Sequence, residues 1–132
     1  MSDVTSIFFN ALGDIGDCRS SIEELLGITF IEKKDDGIHR YIITCFGLEL
    51  ILFDNHGLVN DMGIRFEDFA YELDLLIVKN GIKADVTLTF RLASARFLFE
   101  LITTQFKWNS ILVDNFQRVV AFFPEGDAAI RN

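Results

Sequence analysis

His56 stands between Asp54 and Asp61, and a histidine beside a carboxylate is the pairing that general acid–base hydrolysis uses. The same run, Asp54-Asn55-His56-Gly57, is also good turn chemistry, because Asx side chains bond nearby amides and glycine takes positive φ. Two readings therefore stand at this point: a hydrolase using His56 with Asp54 or Asp61, and a structural turn. Nucleophilic catalysis needs an activated Ser, Cys or Lys beside a base. Cys45 falls inside an expected strand with Tyr41 and Ile43 on the same face, where an inert buried thiol is the expected state.

A zinc site needs closely spaced Cys and His pairs, whereas Cys18, His39, Cys45 and His56 are scattered singly. Asp54, Asp61, Glu67 and Asp68 lack the alternating oxygen ligands of a calcium loop, and no glycine-rich phosphate loop occurs. No metal and no cofactor are expected.

The carboxylates have a second use. From Asp54 to Asp74 there are six acids (Asp54, Asp61, Glu67, Asp68, Glu72, Asp74) against the single base Arg65, a net of −5 within a chain of net −8. Interleaved with Phe66, Phe69 and Tyr71, they make a surface that attracts a basic partner by its field and holds it by aromatic contact. A solvated acidic face is the plainer reading of the same residues. The rest of the charge is uneven: residues 1–26 carry five acids and one base, and residues 75–132 carry five acids and seven bases.

Composition bounds the partners. A chain of 132 residues fits one domain, 1–132, and 50% apolar residues with fourteen Phe and one Pro build a core rather than a disordered coil. A pI near 4.6 repels phosphate backbones and anionic lipids, so nucleic acid and membrane are not expected partners. Apolar runs such as 48–53 and 73–78 are too short to span a bilayer. The N-terminal residues show no basic leader, and the two cysteines suit free thiols, so a cytoplasmic location is expected.

These groups must be carried by elements. Ile7, Phe8, Ala11 and Leu12 recur at helical spacing after Ser2 and Asp3, which predicts an amphipathic N-terminal helix. Ser20 or Ser21 with Glu23 or Glu24 reads as a capping box for a second short helix over 20–26, closed by Gly27. Three strands follow, 28–34, 38–46 and 48–54, joined by Asp35-Asp36-Gly37 and Gly47. Residues 54–63 read as a loop. Phe69, Tyr71, Leu73, Leu75 and Ile77 then alternate with Ala70, Glu72 and Asp74, a strand with an inner and an acidic outer side that ends at Asn80-Gly81. A helix is expected near 89–105, with Arg91 and Arg96 on its solvated side; Phe106 and Trp108 near its end either cover the core edge, the favoured reading, or anchor a partner. A last hairpin turns at Asp114-Asn115 before Pro124 and a polar tail. The expected fold is α+β: a mainly antiparallel sheet of about five to six strands, two short N-terminal helices and one longer helix.

The run 45–75, CFGLELILFDNHGLVNDMGIRFEDFAYELDL, also resembles small immunity proteins of bacterial polymorphic-toxin and contact-dependent growth-inhibition systems. The pattern is an apolar strand ending in Leu52-Phe53-Asp54, then Asn55-His56-Gly57-Leu58, the acid Asp61, Gly63-Ile64, and an aromatic segment, Phe66, Phe69 and Tyr71, before Asp74. It covers about a quarter of the chain. The resemblance implies a non-catalytic cytoplasmic inhibitor that binds one cognate toxin domain and blocks its active site. Many such toxins are nucleases, with RNA-cutting ones favoured.

The charge pattern suits that role, since a carboxylate-rich face can occupy a channel built to hold phosphates. The partner-binding residues expected from sequence are Asp61, Phe66, Glu67, Asp68, Glu72 and Asp74, with Tyr71 and Leu73 inside. A small acidic secretion chaperone is the alternative, and the His56 hydrolase is third.

Overall fold

Thr5, Ser6, Ile7, Phe8 and Phe9 form strand β1 (Thr5–Phe9) in the computed structural model, which describes residues 3–35, 38–78 and 83–124. This segment corrects the expected N-terminal helix. All five residues are buried, because β1 lies inside the sheet with neighbours on both edges and covering on both faces. Helical spacing at Ile7, Phe8, Ala11 and Leu12 misleads here, since a short apolar run buried on all sides carries no diagnostic period.

One helix, α1 (Ile15–Leu26), follows. It begins earlier than the Ser20/Ser21 pattern implies, because Asp14 and Asp17 form the capping box: the Asp17 amide donates to Asp14 Oδ1 and the Asp14 amide to Asp17 Oδ2, both at 3.0 Å. Gly13, at φ +92°, lies so close beneath Asp17 that an added Cβ would sit 2.3 Å from its Oδ2. Gly27 ends the helix in the left-handed conformation, as expected.

Then come β2 (Ile31–Asp35), β3 (Ile38–Cys45) and β4 (Leu48–Asp54), the expected meander. A single 3-10 turn at Phe66–Asp68 interrupts the loop before β5 (Tyr71–Ile77). Helix α2 (Ala84–Phe106) starts five residues before the expected 89, since burial of its inner face overrides the strand propensity of Thr87-Leu88-Thr89-Phe90. The chain closes with β6 (Ser110–Asp114) and β7 (Arg118–Phe123). Their turn places Asn115 and Phe116 at φ +51° and +58°, the two left-handed positions that match hairpin twist. The expected turns at Asp36-Gly37 and Asn80-Gly81 and the tail beyond Pro124 lie outside the described residues.

All strand pairs are antiparallel, and the described sheet has seven strands in the order β2-β3-β4-β5-β1-β6-β7. The fold is α+β as expected, with one more strand and one fewer helix at the N-terminus. Both helices lie on one face. There Cys18 and Ile22 of α1 and Ala95, Leu98, Phe99 and Ile102 of α2 pack on Ile7, Phe9, Leu50, Leu52, Leu73, Leu75 and Leu112. Each such fully buried Leu, Ile or Phe contributes about 1.5–3 kcal/mol. Trp108 stacks on Phe9 with ring centroids 5.0 Å apart and on Phe106 at 4.4 Å, at the core edge as the sequence suggests.

Arg91 corrects a second expectation. It is buried under α2, not solvated: its Nε donates to Thr5 Oγ1 at 2.9 Å and its Nη2 to Asp114 Oδ1 at 3.1 Å. Arg96 is exposed.

The opposite face of the sheet is covered differently. Phe8, Ile111 and Val113 meet Ile64, Phe66 and Phe69 from the segment 55–70, which folds over β1 and β6 as a lid whose only regular pieces are the 3-10 turn and one bridge between Asp61 and Ile64.

Candidate functional site

The segment 55–70 is fixed from several sides. Asn55 takes φ +53°, turning the chain off the end of β4. His56 then spans the loop: its Nε2 meets the Phe69 carbonyl oxygen at 2.7 Å, and its Nδ1 accepts the Leu58 amide at 2.9 Å. These partners assign the proton to Nε2. Asn10, just past β1, brackets the far end, its Nδ2 donating to the Asp68 carbonyl and its Oδ1 accepting the Ala70 amide, both at 2.8 Å. A miniature hairpin closes Asp61 on Ile64 through two backbone hydrogen bonds, with Met62 and Gly63 at positive φ.

The loop thus has a buried underside and a projecting top. Phe66 belongs to the underside: only 2% exposed, its ring lies 4.8 Å from that of Phe8. It was expected on the exposed loop, and it is a core residue because the 3-10 turn rotates it inward while Glu67 and Asp68 point out. Asp61, Glu67 and Asp68 are exposed, Asp68 being paired with Arg65 at 3.2 Å. Val59 and Met62 project beside Asp61 as exposed apolar side chains that sequence reasoning did not single out.

Glu72 and Asp74 do not form an outward acidic edge. The strand alternates as expected, with Leu73 and Leu75 inside and Tyr71 half-buried against the helix-side core. Its other side, however, faces the lid side of the sheet, where Glu72 sits between Phe8 and Phe53 of the neighbouring strands and is 2% exposed. An outer strand face is solvated only where nothing covers it, and here the lid and the aromatic neighbours do. Burial, then the hydrogen bond to Asp74 and its charge, pushes the Glu72 carboxyl up to about 10. Asp74 is raised too, chiefly by burial, with Ser6 Oγ donating to its Oδ1 at 2.6 Å. At neutral pH Glu72 is therefore a protonated, uncharged group and supplies no field to a partner.

What replaces them is a set of acids distant in sequence. Phe9 pairs with Tyr71 and Asp54 pairs with Tyr71, so the ends of β1 and β4 and the start of β5 share one end of the sheet. The Tyr71 hydroxyl donates to the Gly13 carbonyl at 2.7 Å and ties that end to the start of α1. Asp14, Asp17 and Asp54 all lie near enough to Cys18 to raise its thiol, which burial first and then these charges push up to about 12. The same acids, after burial and Cys18, raise Tyr71. Asn10 carries this acidic edge on to Asp68. The signal was present in the sequence as the five acids of residues 1–26, but only the strand order brings them beside Asp54.

A shallow groove of about 370 Å³ opens there, lined by Asp54, His56, Glu67, Ala70 and Tyr71 among others. His56 forms its wall, yet both ring nitrogens are engaged by backbone, and no carboxylate bonds either one among the described residues. The expected pairing with Asp54 or Asp61 is not made, and His56 is a loop staple. Among the described residues no group of three His, Cys, Asp or Glu side chains is placed to hold a metal ion, and no helix is long and apolar enough to cross a membrane. Cys45 is half-buried with its thiol raised by burial.

Comparison of the chain with family models, curated proteins and solved structures finds no match.

Proposed function

We propose that this chain is an immunity-type inhibitor that neutralises a cognate basic toxin domain, a nuclease and by preference an RNA-cutting one, by seating its acidic edge in the toxin's phosphate-binding cleft. The observation that carries the reading is the stapled loop: His56 and Asn10 hold 55–70 so that Asp61, Glu67 and Asp68 project, with the exposed Val59 and Met62 beside Asp61. A surface already ordered before binding loses little entropy on association, which favours a slow off-rate. Carboxylates on such a surface occupy the positions of phosphates, and the field of Asp14, Asp17 and Asp54 alongside speeds capture. The apolar pair supplies contact that excludes water beside Asp61.

The resemblance over 45–75 points the same way, with its partner residues redistributed: Asp61, Glu67 and Asp68 remain as contacts, while Phe66, Glu72 and Asp74 support the surface from beneath. A secretion chaperone needs an apolar groove for an extended segment. The exposed large apolar side chains are instead dispersed, with Leu12 before α1, Phe46 at the β3–β4 turn, Val59 and Met62 on the loop 55–70, and Val86, Phe90 and Phe97 on α2, so no single extended groove among the described residues favours that reading.

The test is co-expression of the chain with the C-terminal domain encoded by the neighbouring upstream reading frame, which this reading requires to be basic. A stoichiometric complex and loss of the domain's RNA cleavage are expected, with Asp61→Lys/Glu67→Lys releasing the activity. Undiminished cleavage in the presence of excess folded chain would sink the proposal.

A further inference from the structure

Helix α2 is apolar on two sides. Its inner side carries Arg91, Ala95, Leu98, Phe99 and Ile102 into the core. Opposite them, Val86, Phe90, Ala93 and Phe97 form a second stripe facing solvent, with Val86 52%, Phe90 43% and Phe97 65% exposed. A helix apolar all round is ordinarily covered on both sides. The flanking charges on the exposed side cancel, Lys83 and Arg96 against Asp85 and Glu100, so a like-charged copy meets little net repulsion here despite the acidity of the molecule.

The stripe is also self-complementary. Its members are spaced four, three and four residues apart, a pattern that reads the same in both directions. Two antiparallel copies of α2 related by a two-fold axis between positions 91 and 92 set Phe90 of one copy against Ala93 of the other and Val86 against Phe97. Each contact matches a large side chain with a smaller one, as interdigitation requires. The same axis places Lys83 of one copy opposite Glu100 of the other, and neither makes an ion pair within the chain among the described residues. We infer that α2 is the interface of a homodimer in which two copies pair antiparallel through Val86, Phe90, Ala93 and Phe97, with Lys83–Glu100 ion pairs at its ends. This inference is independent of the proposed function, since the acidic edge lies on the loop 55–70 and the start of α1.

Sedimentation equilibrium from low micromolar to near-millimolar concentration tests it. Wild type is expected to pass reversibly from the 15.0 kDa chain to a species of twice that mass. Phe97→Glu, and separately Phe90→Lys, should weaken association about tenfold or more without lowering monomer helicity. Lys83→Glu and Glu100→Lys should each weaken it about threefold, and their combination should restore it. A wild type that stays monomeric throughout overturns the inference, including the case in which Phe97→Glu instead abolishes binding of another protein. A dimer indifferent to Phe97 and Phe90 overturns it too, and failure of the charge swap to restore association overturns the antiparallel register.

Discussion

The Nε2 of His56 lies 2.7 Å from the carbonyl oxygen of Phe69, so one imidazole joins the two ends of the loop that carries Asp61 and Glu67. Its Nδ1 accepts the Leu58 amide at 2.9 Å, and its ring meets Phe8 edge-on at 5.4 Å. His56→Ala removes both hydrogen bonds and leaves a partly buried amide without a partner, at a cost of about 1–3 kcal/mol. The expected outcome is a lower denaturation midpoint together with faster amide exchange at Leu58. Unchanged exchange there would show that the aromatic packing alone fixes the loop.

Arg91 bonds Thr5 and Asp114 at once, linking α2 to β1 and β6 with its side chain almost wholly buried. Removing one partner of a buried pair strands the other, so Arg91→Ala is expected to cost about 3–5 kcal/mol. Asp114 retains Arg118 at 3.7 Å and the Thr5 hydroxyl at 3.1 Å, which places the loss toward the lower end of that range. Urea unfolding of the variant beside Arg96→Ala checks the contrast, since Arg96 is exposed and its loss should change stability by less than about 0.5 kcal/mol.

Residues in the loop 55–70 should separate by the side of the lid they occupy. Phe66→Ala opens a cavity beside Phe8 and is expected to cost about 3–5 kcal/mol, so any loss of partner binding would follow from unfolding. Glu67→Gln touches no core atom and should leave the thermal midpoint in place. Its expected effect is a slower association with a basic partner and a weaker dependence of that rate on salt. Stopped-flow association at two ionic strengths distinguishes the two classes. Equal stability losses in both variants would contradict the placement of Glu67 on the outer side.

The sequence displayed its strands well wherever period or turn chemistry was strong. The hairpin around Cys45-Phe46-Gly47-Leu48 and the inner residues Leu73 and Leu75 of β5 are found where alternation put them. It concealed β1 because a strand buried on both faces has no polar side to mark its period. It concealed the true start of α1 because Asp14 and Asp17 cap as well as Ser and Glu do. For the site, composition revealed that acids dominate the centre of the chain but not which of them meet solvent. Burial of Glu72 depends on Phe8 and Phe53, which arrive from other strands, and the gathering of Asp14, Asp17 and Asp54 depends on the placement of β1 beside β5. Both are tertiary facts that no local window contains.

The buried carboxyl of Glu72 makes stability depend on pH in a definite direction. Its folded pKa is raised from 4.5 to about 10, first by burial and then by Asp74. Below the unfolded value both states are protonated, and the contribution of this group is fully present. As pH rises above 4.5 the unfolded chain releases the proton while the folded chain keeps it, so stability falls steadily until the folded value near 10 is passed. Asp74 shifts in the same sense and adds to the slope. Glu72→Gln keeps the shape and the donor toward Asp74 but has no proton to lose. The variant should therefore match the wild type near pH 4 and exceed it at pH 7 by on the order of 1–3 kcal/mol, with a flatter profile between. Urea midpoints measured across that range decide the matter: parallel profiles for the two proteins would mean that Glu72 ionises in the folded state as readily as in the unfolded one.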